Sequence, residues 1–164
     1  MKKRTFSDVK RQSGKESKNK MQKKDESSLD ALIKEAWKVR ENAYCPYSKF
    51  KVGSSMRSKV TGKIYSGCNV ENAAYPSSIC AERGALMQAV AAEGPNLILD
   101  EVVVATGAEQ PTAPCGPCRQ MINEFAADVN VTSVTPSGLK VTKKLDELLP
   151  DSFGPHQLKN GVKN

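Results

Sequence analysis

Five cysteines punctuate this 164-residue chain, and three of them sit in two short segments whose spacing could do chemistry. The first segment reads Cys80-Ala81-Glu82-Arg83, the second Pro114-Cys115-Gly116-Pro117-Cys118-Arg119-Gln120. Each follows a loop and opens a run with helical spacing. Free N–H groups and the helix dipole at such a start favour a thiolate over a thiol. Three thiolates and one water complete a tetrahedral zinc site and leave one position open for chemistry. Glu82 falls in the first helical turn, where it can stand beside the water and move protons without binding the metal. Taken alone, Cys115-Gly116-Pro117-Cys118 has a second meaning, a thiol–disulfide redox pair. Two features argue against it: Pro114 stands where such motifs usually carry Trp, and a redox pair gives no reason for Cys80-Ala81-Glu82. A purely structural zinc site would want a fourth protein ligand. Cys45 and Cys68 are available, but each reads as a small buried residue.

Periodicity supplies the elements that must carry these residues. Leu29, Leu32, Ile33, Ala36 and Trp37 predict an amphipathic helix over 29–42, capped by Ser27 or Ser28. Cys45-Pro46-Tyr47 breaks it. Phe50, Val52, Ser54 and Met56 alternate as a strand, and Ile64 to Cys68 returns as its hairpin partner across Thr61-Gly62-Lys63. Residues 69–79 form a polar loop. Ala81, Ala85, Leu86, Ala89 and Val90 mark a second helix, stopped by Gly94-Pro95. Val102-Val103-Val104 predicts a buried strand. Met121, Ile122 and Phe125 belong to a third helix, and Asn130 to Thr135 is a strand. Leu139 to Thr142 is the last strand, and Leu145 to Leu149 gives a short final helix. This order predicts an α/β fold, a three-layer α/β/α sandwich around a mixed five-stranded sheet. Pro136-Ser137-Gly138 is too short for a crossover, so the last two strands form an antiparallel hairpin.

Charge divides the chain. Met1 to Ser28 holds ten basic and four acidic residues, a net of +6 out of the chain's +7. With so few apolar residues, 1–28 is expected to be a disordered basic tail. Residues 29–155 form the catalytic domain, and 156–164 a C-terminal tail. No stretch is long and apolar enough for a membrane span or a signal peptide, so the protein is expected in the cytoplasm. Lys2-Lys3-Arg4, Lys10-Arg11 and Lys23-Lys24 loosely resemble nuclear import signals, though a solubilising leader is the simpler reading. An odd number of cysteines in a reducing compartment argues for metal or catalytic use over a disulfide framework. His156 is the single histidine. Its isolation near the C-terminus excludes Cys-His or Ser-His nucleophilic catalysis.

The two cysteine segments match the zinc deaminase signature, in which the glutamate is the general acid/base. From about Ser28 to Gly154 the chain resembles the small homotetrameric cytidine deaminases that act on free nucleosides. Ala43-Tyr44-Cys45-Pro46-Tyr47-Ser48-Lys49-Phe50 resembles that family's approach to its first strand. Gly67-Cys68-Asn69-Val70-Glu71-Asn72-Ala73-Ala74-Tyr75 resembles its ribose-binding loop, and Leu148-Leu149-Pro150 with Phe153-Gly154-Pro155 its C-terminal segment. The resemblance implies one zinc per subunit on Cys80, Cys115 and Cys118, with Glu82 as proton shuttle. It implies ribose contacts from Asn69 and Glu71, with Val70 between them. Phe50 would pack against the base, and the Ala81 N–H would hold the pyrimidine. Tyr75 and Phe153 would reach the active site of a neighbouring subunit. Arg83 and Arg119 would hydrogen-bond the cysteine sulfurs and withdraw charge from them. The implied reaction is hydrolytic deamination of cytidine and 2'-deoxycytidine, a step of pyrimidine salvage. The rival reading is a deaminase of RNA or single-stranded DNA. Those enzymes generally use His as first ligand and a longer link between the last two strands. Outside the tail the charge is only +1, with no phosphate-binding stripe, so nucleic acid is expected at most through the tail.

Overall fold

In the computed structural model, which describes residues 28–155 together with 157 and 158, five strands form one mixed sheet. They are β1 (Val52–Ser58), β2 (Ile64–Cys68), β3 (Leu99–Thr106), β4 (Asn130–Val134) and β5 (Lys140–Lys144), in the order β2-β1-β3-β4-β5. Only β3 and β4 run parallel; the other neighbours are antiparallel, including the hairpin of β4 and β5. Residues 28–40 are helical (α1). The other helices are α2 (Ala81–Glu93), α3 (Gly116–Asn123) and α4 (Leu145–Leu148). Met1–Ala31 and Leu32–Asn164 separate as two units, and of the first only 28–31 is described. The expected basic tail and His156 lie outside the described residues.

Two glycines set how the helices meet the sheet. Gly53 pairs with Cys68, and Ser54 with Gly67, so Gly53 and Gly67 face opposite sides. A Cβ on Gly53 would stand 2.0 Å from the Ala36 carbonyl oxygen and 2.7 Å from Arg40 Cβ. The part of α1 from Leu32 onward therefore lies directly on β1, and Ser55 Oγ donates to the Leu32 carbonyl at 2.7 Å. A Cβ on Gly67 would stand 2.3 Å from the Ala85 nitrogen, so α2 is just as close on the other face. The core on that face joins Met56, Val102 and Val131 of the sheet to Ala85, Leu86 and Ala89 of α2 and Ile122 of α3. Helices on both faces of a mixed sheet make the three layers expected from the element order.

Several predicted boundaries shift: α1 ends at 40, β1 starts at Val52 and leaves Phe50 outside, α3 ends at Asn123 before Phe125, and β4 ends at Val134, while β3 and β5 change most. β3 extends well beyond Val102–Val104, because β1 pairs with it from Leu99 to Thr106 and β4 with Glu101 to Ala105. β5 starts one residue later than predicted and runs two residues further, through Lys143 and Lys144, because register with β4 decides it. Its lysines are polar residues on an exposed edge, which suits an edge strand but breaks the apolar pattern.

The far end of α2 is tied to the β1–β2 hairpin by Glu93. Its carboxylate accepts from Ser58 Oγ at 2.7 Å, from Tyr65 Oη at 2.8 Å and from Thr61 Oγ1. The Thr61 hydroxyl foremost, with Ser58 and Tyr65, holds the Glu93 carboxyl below the ordinary glutamate range against partial desolvation. A depressed folded value means stability present above the unfolded pKa and lost as pH falls through the folded one. Glu93→Gln is therefore expected to flatten the acid side of the urea-midpoint profile below about pH 4.5. Equal acid slopes for both proteins would refute the clamp.

Candidate active site

The two helix starts bring the three cysteines together. Cys80 caps α2 and Cys115 caps α3, each in extended backbone, and Gly84 N and Arg119 N close the first turns onto their carbonyls. Cys118 follows one turn into α3 and is fully buried. The Sγ atoms lie 3.7 Å apart for Cys80 and Cys115, and 3.4 Å apart for Cys115 and Cys118. All three Sγ atoms fall within 4.8 Å of one another. Zinc–sulfur bonds of about 2.3 Å in a tetrahedron require sulfurs about 3.8 Å apart, so the cluster fits zinc. The Cys118 thiol foremost, then Arg83 and Cys115, pulls Cys80 down to about 5 despite burial. The same sharing with Cys80, together with burial and the Glu82 charge, pushes Cys118 up.

Arg83 stands over the sulfurs. Its Nη2 donates to the Ser78 carbonyl at 2.7 Å and to Cys80 Sγ at 3.8 Å. Its buried Nε is the one buried side-chain polar atom left unpartnered among the described residues. Arg119 is placed otherwise than the sequence suggested. Its Nε donates to the Pro114 carbonyl and its Nη1 to the Leu148 carbonyl, both at 2.7 Å. The side chain reaches back past Cys115 and across to the segment after α4, so it braces the metal loop through main-chain carbonyls. Gln120 Nε2 and Asn123 Nδ2 of the same helix donate to the Phe153 carbonyl at 2.8 and 3.2 Å.

A cavity of about 310 Å³ opens beside the cluster, at the C-terminal end of β3. Cys80, Cys115 and Glu82 form one wall. Glu82 is only 4% exposed. Burial, reinforced by the Cys80 charge, pushes its carboxyl up, which suits a group that must hold a proton near neutrality. Phe50, Asn69, Glu71 and Ala81 line the remainder. Ser48, Val52, Val104, Thr106 and Thr112 line it too and escaped the sequence reading. Ser48 and Val52 sit in or beside recognisable blocks, but Thr106 reaches the wall as the last residue of β3 and Thr112 from the loop before α3, for which the local sequence has no signal.

Val70 does not line this cavity, and neither do Tyr75 and Phe153, which were expected at the site of a neighbouring subunit. Val70 is exposed, because its backbone bridges to Tyr44 and Ile79 and turns the side chain outward. Tyr75 is 68% exposed and packs at a tilt on Tyr47, with ring centroids 5.8 Å apart. Phe153 is 60% exposed. The Ser48 hydroxyl foremost, then the N–H groups of Tyr47 and Ser48 and the charge of Lys49, holds Glu71 below the ordinary range against partial desolvation.

Fold and site together define a metal-dependent enzyme with one small-molecule cavity at two helix starts. The model of the cytidine and deoxycytidylate deaminase zinc-binding region matches residues 26–134. A cytidine deaminase of Sporosarcina psychrophila is 41% identical over 133 residues, covering 79% of this chain and 94% of the relative. One from Halalkalibacterium halodurans is 41% identical over 123 residues, covering 74% and 91%. The crystal structure of the Burkholderia pseudomallei cytidine deaminase superposes with a TM-score of 0.71 at 41% identity, covering 76% of this chain and 98% of that one. The Mycobacterium tuberculosis enzyme gives 0.66 at 31%, covering 77% and 97%. The chain belongs to the zinc-binding cytidine and deoxycytidylate deaminase family.

Proposed function

We propose that the protein is a zinc-dependent deaminase of free cytidine and 2'-deoxycytidine. Water and the nucleoside give uridine or deoxyuridine and ammonia. The observation that carries this reading is the buried Glu82 carboxyl sharing one cavity with Cys80 and Cys115. Cys80, Cys115 and Cys118 would hold the metal. Zinc supplies the acidity that makes water a nucleophile at neutral pH. Glu82 takes the proton that the water releases and delivers it to N3 of the cytosine ring while oxygen attacks C4. Glu82 then takes the proton of the new C4 hydroxyl and passes it to the 4-amino nitrogen, so that the C4 carbonyl forms as the C–N bond breaks and ammonia departs. Arg83 draws charge from the sulfurs. Phe50 packs on the base, the Ala81 N–H orients it, and Asn69 and Glu71 take the ribose hydroxyls.

Tyr75 and Phe153 are both exposed on the surface of the chain. Both suit a role in completing the site of a second subunit, and the resemblance to the small homotetrameric deaminases supports a homotetramer. No described helix is long and apolar enough to cross a membrane. A cytoplasmic place in pyrimidine salvage, with the basic tail available for nuclear import, completes the proposal.

The test is direct. Purified with zinc, the protein should convert cytidine to uridine with release of ammonia, followed by absorbance and confirmed by chromatography. A folded, zinc-loaded protein that leaves cytidine and deoxycytidine untouched would end the reading.

A further inference from the structure

We infer that Ser48 is a positioning residue for the sugar end of the substrate, fixing the Glu71 carboxylate against the arm that carries Phe50. The inference rests on the cytidine reading given above.

Residues 45–50 form a single turn closed by Lys49 N donating to the Cys45 carbonyl at 3.1 Å. Lys49 leaves the turn with φ of 59°, in the left-handed region that a residue with a Cβ seldom adopts. Something must hold it there. The free N–H groups of Tyr47 and Ser48 both donate to Glu71 Oε2, at 2.9 and 3.2 Å. The Ser48 hydroxyl donates to Glu71 Oε1 and accepts from the Phe50 N–H at 3.0 Å. One hydroxyl thus joins the sugar-side carboxylate to the main chain of the base-packing residue. Asn69 secures the other side. Its Nδ2 donates to the Phe50 carbonyl at 2.9 Å, and its Oδ1 accepts from the Val52 N–H at 2.8 Å.

A carboxylate offers about four lone-pair sites. Tyr47 N–H, Ser48 N–H and the Ser48 hydroxyl occupy three of them. The Glu71 carboxylate is therefore held on the cavity wall, prevented from swinging, with capacity for one more donor. A ribose hydroxyl is the donor that the reading supplies. Geometry fixed before binding lowers the ordering cost of the complex.

The experiment compares wild type, Ser48→Ala and Ser48→Thr on cytidine and on 2',3'-dideoxycytidine, which lacks the 2' and 3' hydroxyls. Loss of a hydrogen bond to a charged group should raise KM for cytidine by about 10- to 100-fold in Ser48→Ala, with kcat little changed. Ser48→Thr keeps the hydroxyl and should return KM close to wild type. On dideoxycytidine, wild type and Ser48→Ala should have the same kcat/KM. Equal losses on both substrates, or no rescue by Thr, would overturn the inference and leave Ser48 as a support of the Phe50 arm alone. A wild type inactive on both nucleosides would overturn the cytidine reading and this inference together.

Discussion

Glu82→Gln should lower kcat for cytidine by about three to four orders of magnitude while the protein stays folded and keeps its zinc. The side chain is buried on the cavity wall beside Cys80. Gln has the same size and removes only the ability to accept and return a proton. Metal retention follows from the ligand set. The three sulfurs within 4.8 Å of one another are cysteines, and Glu82 adds negative charge near them without belonging to that set. The measurement pairs steady-state kinetics with zinc content by mass spectrometry. Activity within tenfold of wild type would remove Glu82 from proton transfer. Loss of zinc with activity would instead make it part of the metal's support.

Much of this site was legible because its chemistry is local. Cys80-Ala81-Glu82 and Cys115-Gly116-Pro117-Cys118 lie within single helical turns, so spacing alone places the groups. Phe50, Asn69 and Glu71 were picked out by resemblance to known blocks, and all three line the cavity. The hydrogen bonds around them were not legible. Glu71 serves Tyr47 and Ser48, more than twenty residues upstream, through main-chain N–H groups that every residue carries. Arg119 shows the same limit. A residue next to a ligand looks like a partner of the sulfurs, but its donors reach the Pro114 and Leu148 carbonyls. Carbonyl positions depend on loop path, which side-chain patterns do not encode. The strand edges failed for a related reason, since pairing register carries β5 through two lysines that no apolar pattern marks.

Gly67→Ala should be among the most damaging single substitutions outside the metal ligands, and Gly84→Ala, on the facing turn of α2, should not. The added Cβ at Gly67 would stand 2.3 Å from the Ala85 nitrogen, 2.7 Å from the Ala81 oxygen and 2.7 Å from the Gly84 carbonyl carbon. All three atoms are backbone, so no rotamer change relieves the overlap. α2 would have to move off β2 as a body. Overpacking of this kind costs about 1–3 kcal/mol or more, or about 5–10 °C in Tm for a domain of this size. The helix that moves carries Cys80 and Glu82 at its start, so the damage should reach the metal as faster zinc release to a chromophoric chelator. At Gly84 the nearest atoms to an added Cβ are the Cys68 oxygen at 3.6 Å and Gly67 Cα at 3.7 Å, ordinary contacts. Glycine inside a helix costs about 1 kcal/mol relative to alanine, so Gly84→Ala should raise Tm and leave zinc release unchanged. Calorimetry and the chelator assay on the two variants decide between steric contact and simple helix propensity. If Gly67→Ala melted with wild type, the close seating of α2 on β2 would be wrong, and with it the reason that the metal cluster sits where it does.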